Sequence, residues 1–156
     1  MISAWIHFWK LSGPERRYFF MGALLLPATV VSLRMFNFRS VQRSLERWYS
    51  DAVRTGARDD TAIFAEVQTA SRMVDAASRY GVARGNCLSK SITLWWLLRR
   101  QGIPVQLRFG ARKTGARFEA HAWVELDGRV INDSEDVRTR YSPFDGAVTD
   151  EMAAQK

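Results

Sequence analysis

One cysteine and one histidine in this chain have surroundings that are typical of a thiol active site. Cys87, the only cysteine, lies in residues 84–89, and His121 lies in residues 119–123. A cysteine nucleophile needs a base within hydrogen-bond reach, and that base needs a third group to fix its tautomer and orientation. Asp133 is the candidate for this third group. Together the three residue types are those of a thiol active site with the cysteine as nucleophile.

The sequence around Cys87 predicts the start of a helix. Residues 88–100 are apolar nearly all the way round a helix, and Asn86 is a suitable cap. Gly85 permits the close approach of another chain segment. Unpaired backbone N–H groups at a helix start stabilise a thiolate and can hold an oxyanion. A lone cysteine is also often a small buried hydrophobe, and this alternative stays open at this point.

His121 lies in a segment whose period of two predicts a strand over residues 118–126. It shares a strand face with Glu119 and Trp123. The apolar stripe is on the opposite face and comprises Phe118, Ala120, Ala122 and Val124. A strand histidine can equally be a hydrogen-bonded or solvated residue without a catalytic role. The combination of a helix-start cysteine and a later strand histidine is what favours a thiol enzyme.

The turn after this strand decides whether Asp133 faces His121. A two-residue turn at 127–128 would place Asp133 on the wrong face of the sheet and leave Ser134 or a more distant carboxylate as the third group. A three-residue loop at 126–128, with Gly128 in the left-handed conformation, would place Asp133 directly opposite His121. We predict the three-residue loop. The alternative role for Asp133 is that of a strand-end residue that caps a turn.

The elements that must position these residues are helices followed by strands. Helices are predicted over about 14–34, 38–49 and 60–80, with Gly81 ending the last. Strands are predicted over about 105–109, 118–126 and 129–133, and the tail beyond Asp136 is predicted to be mostly irregular. The nearly charge-free run 18–33 is shorter than the ~20 residues that span a bilayer and contains Pro27. It predicts a buried helix rather than a membrane span.

Composition limits the classes of protein to consider. A chain of 156 residues that is 47% hydrophobic can close one sizeable core. The net charge of +7 favours anionic partners such as acidic peptides, nucleic acid or a membrane surface. A single cysteine rules out an internal disulfide and suits a reducing cytosol, so a cytoplasmic location is expected. Because His7 and His121 are the only histidines, the clustered ligands of a zinc site are lacking, and no metal or cofactor is expected.

At three places the sequence resembles the transglutaminase-like cysteine peptidases of lasso peptide biosynthesis, also called B2 proteins or leader peptidases. These are residues 85–88, residues 121–128 and residues 132–133, and the resemblance extends over about 60–145. It implies an α+β, papain-like core in which a central cysteine-bearing helix packs on a small antiparallel sheet. It also implies Cys87 as nucleophile, His121 as general base and acid, and Asp133 as the orienting carboxylate.

The resemblance further implies a division of the chain and a set of partners. Residues 1–58 would form a helical extension on the core, 59–145 the catalytic core, and 146–156 an irregular tail. Such enzymes cut the leader from a ribosomally made precursor peptide, which a small recognition protein presents, before a separate ATP-dependent cyclase closes a macrolactam. We expect the recognition protein to act in trans, and neither nucleic acid nor a membrane to bind. The alternatives are an amidase or transglutaminase with the same triad, and a noncatalytic basic protein that binds nucleic acid or a partner complex.

Overall fold

A computed structural model describes residues 11–35, 59–115 and 117–143 of the chain. The helices in this part are α1 (Gly13–Met35), α2 (Asp60–Tyr80), α3 (Cys87–Arg99) and α4 (Val137–Arg140). The strands are β1 (Gln106–Thr114), β2 (Arg117–Leu126), β3 (Arg129–Val130) and β4 (Ser142–Pro143). They form one antiparallel sheet in the order β3-β2-β1-β4. This arrangement confirms the predicted α+β class.

Local sequence signals account for the ends of the long helices. The Ser12 N–H donates to the Glu15 carboxylate at 2.8 Å, and the Glu15 N–H donates back to the Ser12 hydroxyl at 3.5 Å, which is a capping box at the start of α1. Asp59 caps α2 by accepting a hydrogen bond from a first-turn N–H at 3.3 Å. At the other end of α2, a Cβ at Gly81 would lie 2.3 Å from the carbonyl oxygen of Ala77. Only glycine fits there, so α2 ends where the sequence predicts.

Helix α1 is buried on one side only, which corrects the prediction of a buried helix over residues 18–33. Its inner side packs on α2 and α3 and carries the buried residues Tyr18, Gly22, Leu26 and Thr29. Its outer side carries large exposed apolar residues, namely Phe20, Leu24, Val31 and Met35. The prediction failed because α2 and α3 cover only one side of the helix in the described part of the chain. By length and composition α1 could cross a membrane.

The core lies between the helices and one face of the sheet. Helix α3 packs on β1 and β2 as well as on α1 and α2, so it is the central helix that the sequence predicts. Val124 and Leu126 of β2 face this main core. The alternate residue Trp123 belongs to a second buried cluster, which also contains Val130, Val137 and Tyr141. The sheet is therefore buried on both faces near the end of β2.

The turn between β2 and β3 differs from the prediction. Leu126 pairs with Arg129, which leaves a two-residue turn of Asp127 and Gly128. Both turn residues have positive φ, 47° for Asp127 and 76° for Gly128. An Asp-Gly pair favours this turn in a hairpin because aspartate tolerates the left-handed region. The backbone twist of such a turn also matches the twist of the two strands. The predicted three-residue loop at 126–128 was wrong.

Strand β3 is also shorter than predicted, ending at Val130 instead of residue 133. The Ile131 N–H still donates to the Val124 carbonyl at 2.9 Å, after which the chain bends away from the sheet. Side chains alternate between faces only while a chain remains in a sheet, so the register argument does not apply to Asp133. The segment predicted to be irregular beyond Asp136 contains α4 and β4. The predicted helix at 38–49, most of the 1–58 extension and the 146–156 tail lie outside the described residues.

Candidate active site

His121 and Asp133 are in direct contact in the structure. The imidazole Nε2 lies 2.5 Å from the Asp133 Oδ2, and the two side chains are only 18% and 20% exposed. Burial alone would raise the pKa of Asp133, but hydrogen bonds from His121 and from the Ser134 N–H hold this pKa below its ordinary value. An ionised Asp133 can only accept a hydrogen bond, so Nε2 carries the proton and donates it to Oδ2 as a hydrogen bond. In the neutral imidazole the basic lone pair is then on Nδ1.

The bend after β3 brings Asp133 to His121. It does so although the two-residue turn sets the register that would place Asp133 on the opposite face of the sheet if β3 continued to residue 133. Asp133 is held by its other oxygen as well, because Oδ1 accepts from the Ser134 N–H and from the Arg140 guanidinium, each at 2.8 Å. Arg140 also donates to the Ser134 hydroxyl at 2.8 Å and lies 3.2 Å from the Asp136 carboxylate. The carboxylate of Asp133 is therefore fixed from two sides.

Arg140 was missed by the sequence argument. It is the last residue of α4, whose four residues lie in the stretch predicted to be irregular. A run containing Arg138 and Arg140 after several carboxylates was the available signal. It could not indicate which carboxylate each arginine would contact, because that depends on the bend at residues 131–133.

The imidazole of His121 also has aromatic neighbours. The ring of Tyr141 stacks on it with 4.8 Å between centroids and an interplanar angle of 23°. Gly110 is the cross-strand partner of His121, and a Cβ there would lie 3.0 Å from both the Tyr141 Cβ and the Trp123 ring. Glycine at 110 thus allows Tyr141 to approach the sheet closely enough to cover one face of the imidazole.

A buried carboxylate anchors the segment that carries Tyr141. Glu125 is 2% exposed and accepts hydrogen bonds from the Trp123 indole at 2.7 Å, from Arg138 at 2.9 Å and from Arg108 at 3.2 Å. Burial alone would raise the pKa of Glu125, but these three donors hold it below the ordinary value. Because Arg138 belongs to α4, the ion pair ties α4 to β2 just before Tyr141.

Cys87 is the first residue of α3, as the sequence predicts, and it is partly buried. The Asn86 side chain caps the helix by accepting from the Ser89 N–H at 2.9 Å. Gly85 lies against α1, since a Cβ there would come within 3.1 Å of the Leu26 side chain. Position 87 therefore combines a helix start, no acidic residue in the first turn and a free, only partly buried cysteine.

A hydrogen-bond network joins α3 to the edge of β2 that β3 leaves open. The Ser91 hydroxyl donates to the Ala122 carbonyl at 2.9 Å, and the Asn132 amide donates to that hydroxyl at 2.8 Å. The side-chain oxygen Oδ1 of Asn132 accepts a hydrogen bond from the Val124 N–H at 2.7 Å. We call Ser91 and Asn132 the edge clasp. In the sequence, Asn132 stands out only as the neighbour of Asp133, and no local pattern marks Ser91, which is 0% exposed.

The edge clasp relates the three candidate residues to one another. Ser91 lies one helical turn after Cys87, about 6 Å along the axis, and its bond partner Ala122 is the neighbour of His121. The start of α3 is thus held beside the strand that carries His121. The structure joins His121 and Asp133 by a hydrogen bond, and within the described residues it has no hydrogen bond between the Cys87 thiol and the imidazole. The role of the three residues as a triad stays a prediction.

A groove of about 400 Å³ lies beside Asp133, between α2 and residues 131–133. Lys90 and Leu94, which lie three and seven residues after Cys87 on the same side of α3, form part of its wall. Asp75 lies there between two cations, 3.0 Å from Lys90 and 2.8 Å from Arg79. A larger cavity of about 590 Å³ is lined by residues 12–18 and 65–69 and touches none of the three candidates. The smaller groove is the one adjacent to the candidate site.

No group of three or more His, Cys, Asp or Glu side chains in the described ranges is placed to hold a metal ion. The arrangement offers a thiol at a helix start, an imidazole oriented by an ionised carboxylate, and a groove alongside. Its available chemistry is proton transfer at the imidazole and nucleophilic attack by the thiol.

Comparison with known proteins places the chain in a superfamily. Residues 32–144 match the transglutaminase-like superfamily. A segment of 61 residues is 34% identical to the microcin J25-processing protein McjB of Escherichia coli; it makes up 39% of this chain and 28% of McjB, so the match covers less than a third of that relative. No solved structure matches the chain. Because the superfamily match extends over well more than half of its residues, the chain belongs to the transglutaminase-like superfamily.

Proposed function

We propose that this protein is a cysteine peptidase that removes the leader from a ribosomally synthesised lasso precursor peptide. Cys87 is the nucleophile, His121 the general base and acid, and Asp133 the carboxylate that orients the imidazole. The observation that carries the proposal is the 2.5 Å contact between Nε2 of His121 and Asp133. It leaves Nδ1 as the basic nitrogen and so gives His121 the tautomer that a neighbouring thiol requires.

The first half of the reaction forms a thioester. Nδ1 of His121 takes the thiol proton, and the Cys87 sulfur attacks the scissile carbonyl carbon. The backbone N–H of Cys87, which lies at the start of α3 and has no partner within the helix, donates to the developing oxyanion. The C–N bond then breaks as the protonated imidazole gives its proton to the leaving amine, so the charge on Asp133 stabilises the imidazolium until that step.

The second half of the reaction hydrolyses the thioester. Neutral His121 takes a proton from water, the resulting nucleophile attacks the thioester carbonyl, and the sulfur leaves. The leader departs with a free carboxylate, and the core peptide has a free N-terminal amine for macrolactam closure by a separate ATP-dependent cyclase. The groove beside Asp133 and Lys90 is the candidate path for the peptide, because it follows the Cys87 side of α3.

Two observations support the peptide substrate. The similarity to McjB, which is named as a microcin J25-processing protein, connects part of this chain with peptide maturation. The formal charge of +7 favours acidic segments of a precursor or of a protein that presents it. We propose that a leader-recognition protein acts in trans, and that the reaction takes place in the cytoplasm, where a free thiol stays reduced.

The test is mass spectrometry of a precursor peptide incubated with its recognition protein and either the wild type or the Cys87→Ala variant. The expected result is one intact leader and one core peptide with wild type alone. Circular dichroism establishes that the variant is folded, and Thr69→Ala, which removes an α2 hydroxyl on the wall of the larger cavity, away from the three candidate residues, serves as the active control. Equal or absent cleavage by wild type and Cys87→Ala with the cognate precursor would contradict the proposal. A leader recovered as an adduct with an added amine, rather than as the free acid, would identify amine transfer instead.

A further inference from the structure

The outer side of α1 presents an apolar stripe to solvent. Phe20, Leu24, Val31 and Met35 are 59%, 76%, 53% and 72% exposed, and Ala28 lies between them. The spacing of three or four residues places all five on one side of the helix. We call them the outer stripe. It extends over sixteen residues, about 22 Å along the axis.

The domain fixes the orientation of this stripe. The inner side of α1, which packs on α2 and α3, carries the buried residues Tyr18, Gly22, Leu26 and Thr29. Each of these four precedes a member of the outer stripe by two residues, which is a rotation of about 200° around a helix. The outer stripe therefore points directly away from the domain. A helix held along one side cannot cross a bilayer while it keeps these contacts, but it can lie flat on one.

Charged residues are confined to the ends of the outer stripe. No charged side chain occurs from Tyr18 to Leu33, whereas Arg16 and Arg17 precede this run and Arg34 follows it. All three arginines are exposed. Arg17 lies three residues before the first member of the stripe, and Arg34 lies one residue before the last. The apolar surface is therefore bordered by cations at both ends.

This pattern distinguishes between possible occupants of the surface. Between its basic ends the outer stripe has no side chain that can form a hydrogen bond, so it lacks the polar groups that give a protein interface its specificity. A lipid surface needs only apolar area at the depth of the acyl chains and cations at the level of anionic headgroups. The stripe supplies the first and its bordering arginines supply the second.

We propose that the outer stripe is a membrane-docking surface, with α1 lying in the plane of an anionic lipid surface. Leu24, Val31 and Met35 enter the region between headgroups and acyl chains, and the arginines contact phosphate groups. The active-site residues belong to α3, the sheet and the bend at 131–133, none of which is part of the outer stripe. The active site therefore remains on the water side when α1 is docked. This inference revises the expectation that no membrane binds, and it does not depend on the peptidase activity.

The test is flotation of the full chain with vesicles of phosphatidylcholine, with or without phosphatidylglycerol. Wild type is expected to float with the anionic vesicles, and Leu24→Glu/Val31→Glu to lose at least about tenfold in partitioning, because two apolar contacts are replaced by charges. Val82→Glu/Phe118→Glu is the matched control, since it adds the same charge at residues that are 96% and 69% exposed elsewhere. This control is expected to float as wild type does. Circular dichroism establishes that each variant is folded.

A second variant tests the electrostatic part. Arg16→Gln/Arg17→Gln is expected to weaken partitioning to anionic vesicles by about fivefold for each arginine, and added salt should have a similar effect on wild type. The proposal is overturned if wild type remains at the bottom of the gradient with both vesicle types. It is also overturned if both Glu pairs reduce flotation equally. A third contrary result is that wild type does not float but forms a concentration-dependent dimer that Leu24→Glu/Val31→Glu abolishes, because the outer stripe would then join two copies of the chain.

Discussion

Removing the side chain of Asn132 should weaken both the stability of the domain and its catalysis. Asn132 belongs to the edge clasp, accepting from the Val124 N–H at 2.7 Å and donating to the Ser91 hydroxyl at 2.8 Å. In Asn132→Ala the Val124 N–H loses its partner at a residue that is 0% exposed, and Ser91 loses a donor.

The size of the effect follows from these two bonds. A buried N–H left without a partner costs about 1–3 kcal/mol, and the lost amide-to-hydroxyl bond adds about 1 kcal/mol. Asn132→Ala should therefore lower the free energy of unfolding by about 2–4 kcal/mol. In urea, with a slope of about 2 kcal/mol per molar, the midpoint should fall by roughly 1–2 M. Tryptophan fluorescence gives this midpoint, since Trp95 and Trp123 are both buried in the core.

A double-mutant cycle with Ser91→Ala separates the clasp from general packing. Because the two side chains are bonded to each other, the double variant should be less destabilised than the sum of the single variants by about 1 kcal/mol. Ser71→Ala is the matched control, as its hydroxyl makes one long bond of 3.4 Å to the Ile131 carbonyl and should change stability by no more than about 0.5 kcal/mol. Additive effects, or an Asn132→Ala midpoint equal to that of Ser71→Ala, would refute the reasoning.

Three further predictions concern the imidazole and its support. Asp133→Asn should lower kcat by a factor of about 10²–10⁴ in the peptide-cleavage assay while the folded spectrum is retained, because the amide cannot stabilise the imidazolium of His121. Gly110→Ala should also reduce kcat, and should weaken the near-ultraviolet circular dichroism, because its Cβ would displace Tyr141, 3.0 Å away, from the imidazole. Glu125→Gln should make the free energy of unfolding depend less on pH below about pH 5. The folded pKa of Glu125 is lowered, so its carboxylate stabilises the fold above the unfolded pKa of about 4.3 and this contribution is lost as pH falls through the folded pKa. Urea unfolding from about pH 3 to 7 measures the difference, and parallel curves for wild type and variant would contradict the assignment.

Much of the scaffold could be predicted from local sequence because local interactions fix it. The Asp59 cap, the glycine that ends α2 and the Asn86 cap before Cys87 all act within a few residues, and each lies where the sequence predicts. The prediction of the β2–β3 turn was wrong for a different reason. Both turn geometries were compatible with Asp127 and Gly128, and the choice between them was made from an assumed contact of Asp133 rather than from the turn residues themselves.

The positioning groups could not be predicted because their contacts depend on the tertiary path of the chain. Ser91 meets Asn132 across forty-one residues, and Arg140 reaches Asp133 only after the chain bends at 131–133. Neither pattern has a period that a helix or strand would impose. The exposed side of α1 is a similar case, since its apolar run predicts burial equally for every residue, and only the placement of α2 and α3 decides which side is covered.

The short length of β3 connects these observations. A five-residue β3 would pair along β2 as far as its register allows, and its backbone would occupy the edge groups of Ala122 and Val124 that the clasp now uses. The start of α3 could not then lie against that edge. The chain would also remain in the sheet through residue 133, where the observed register directs Asp133 to the face away from His121. Ending β3 at Val130 therefore does two things at once: it frees the edge for the helix that carries Cys87, and it frees Asp133 from the sheet to reach the imidazole.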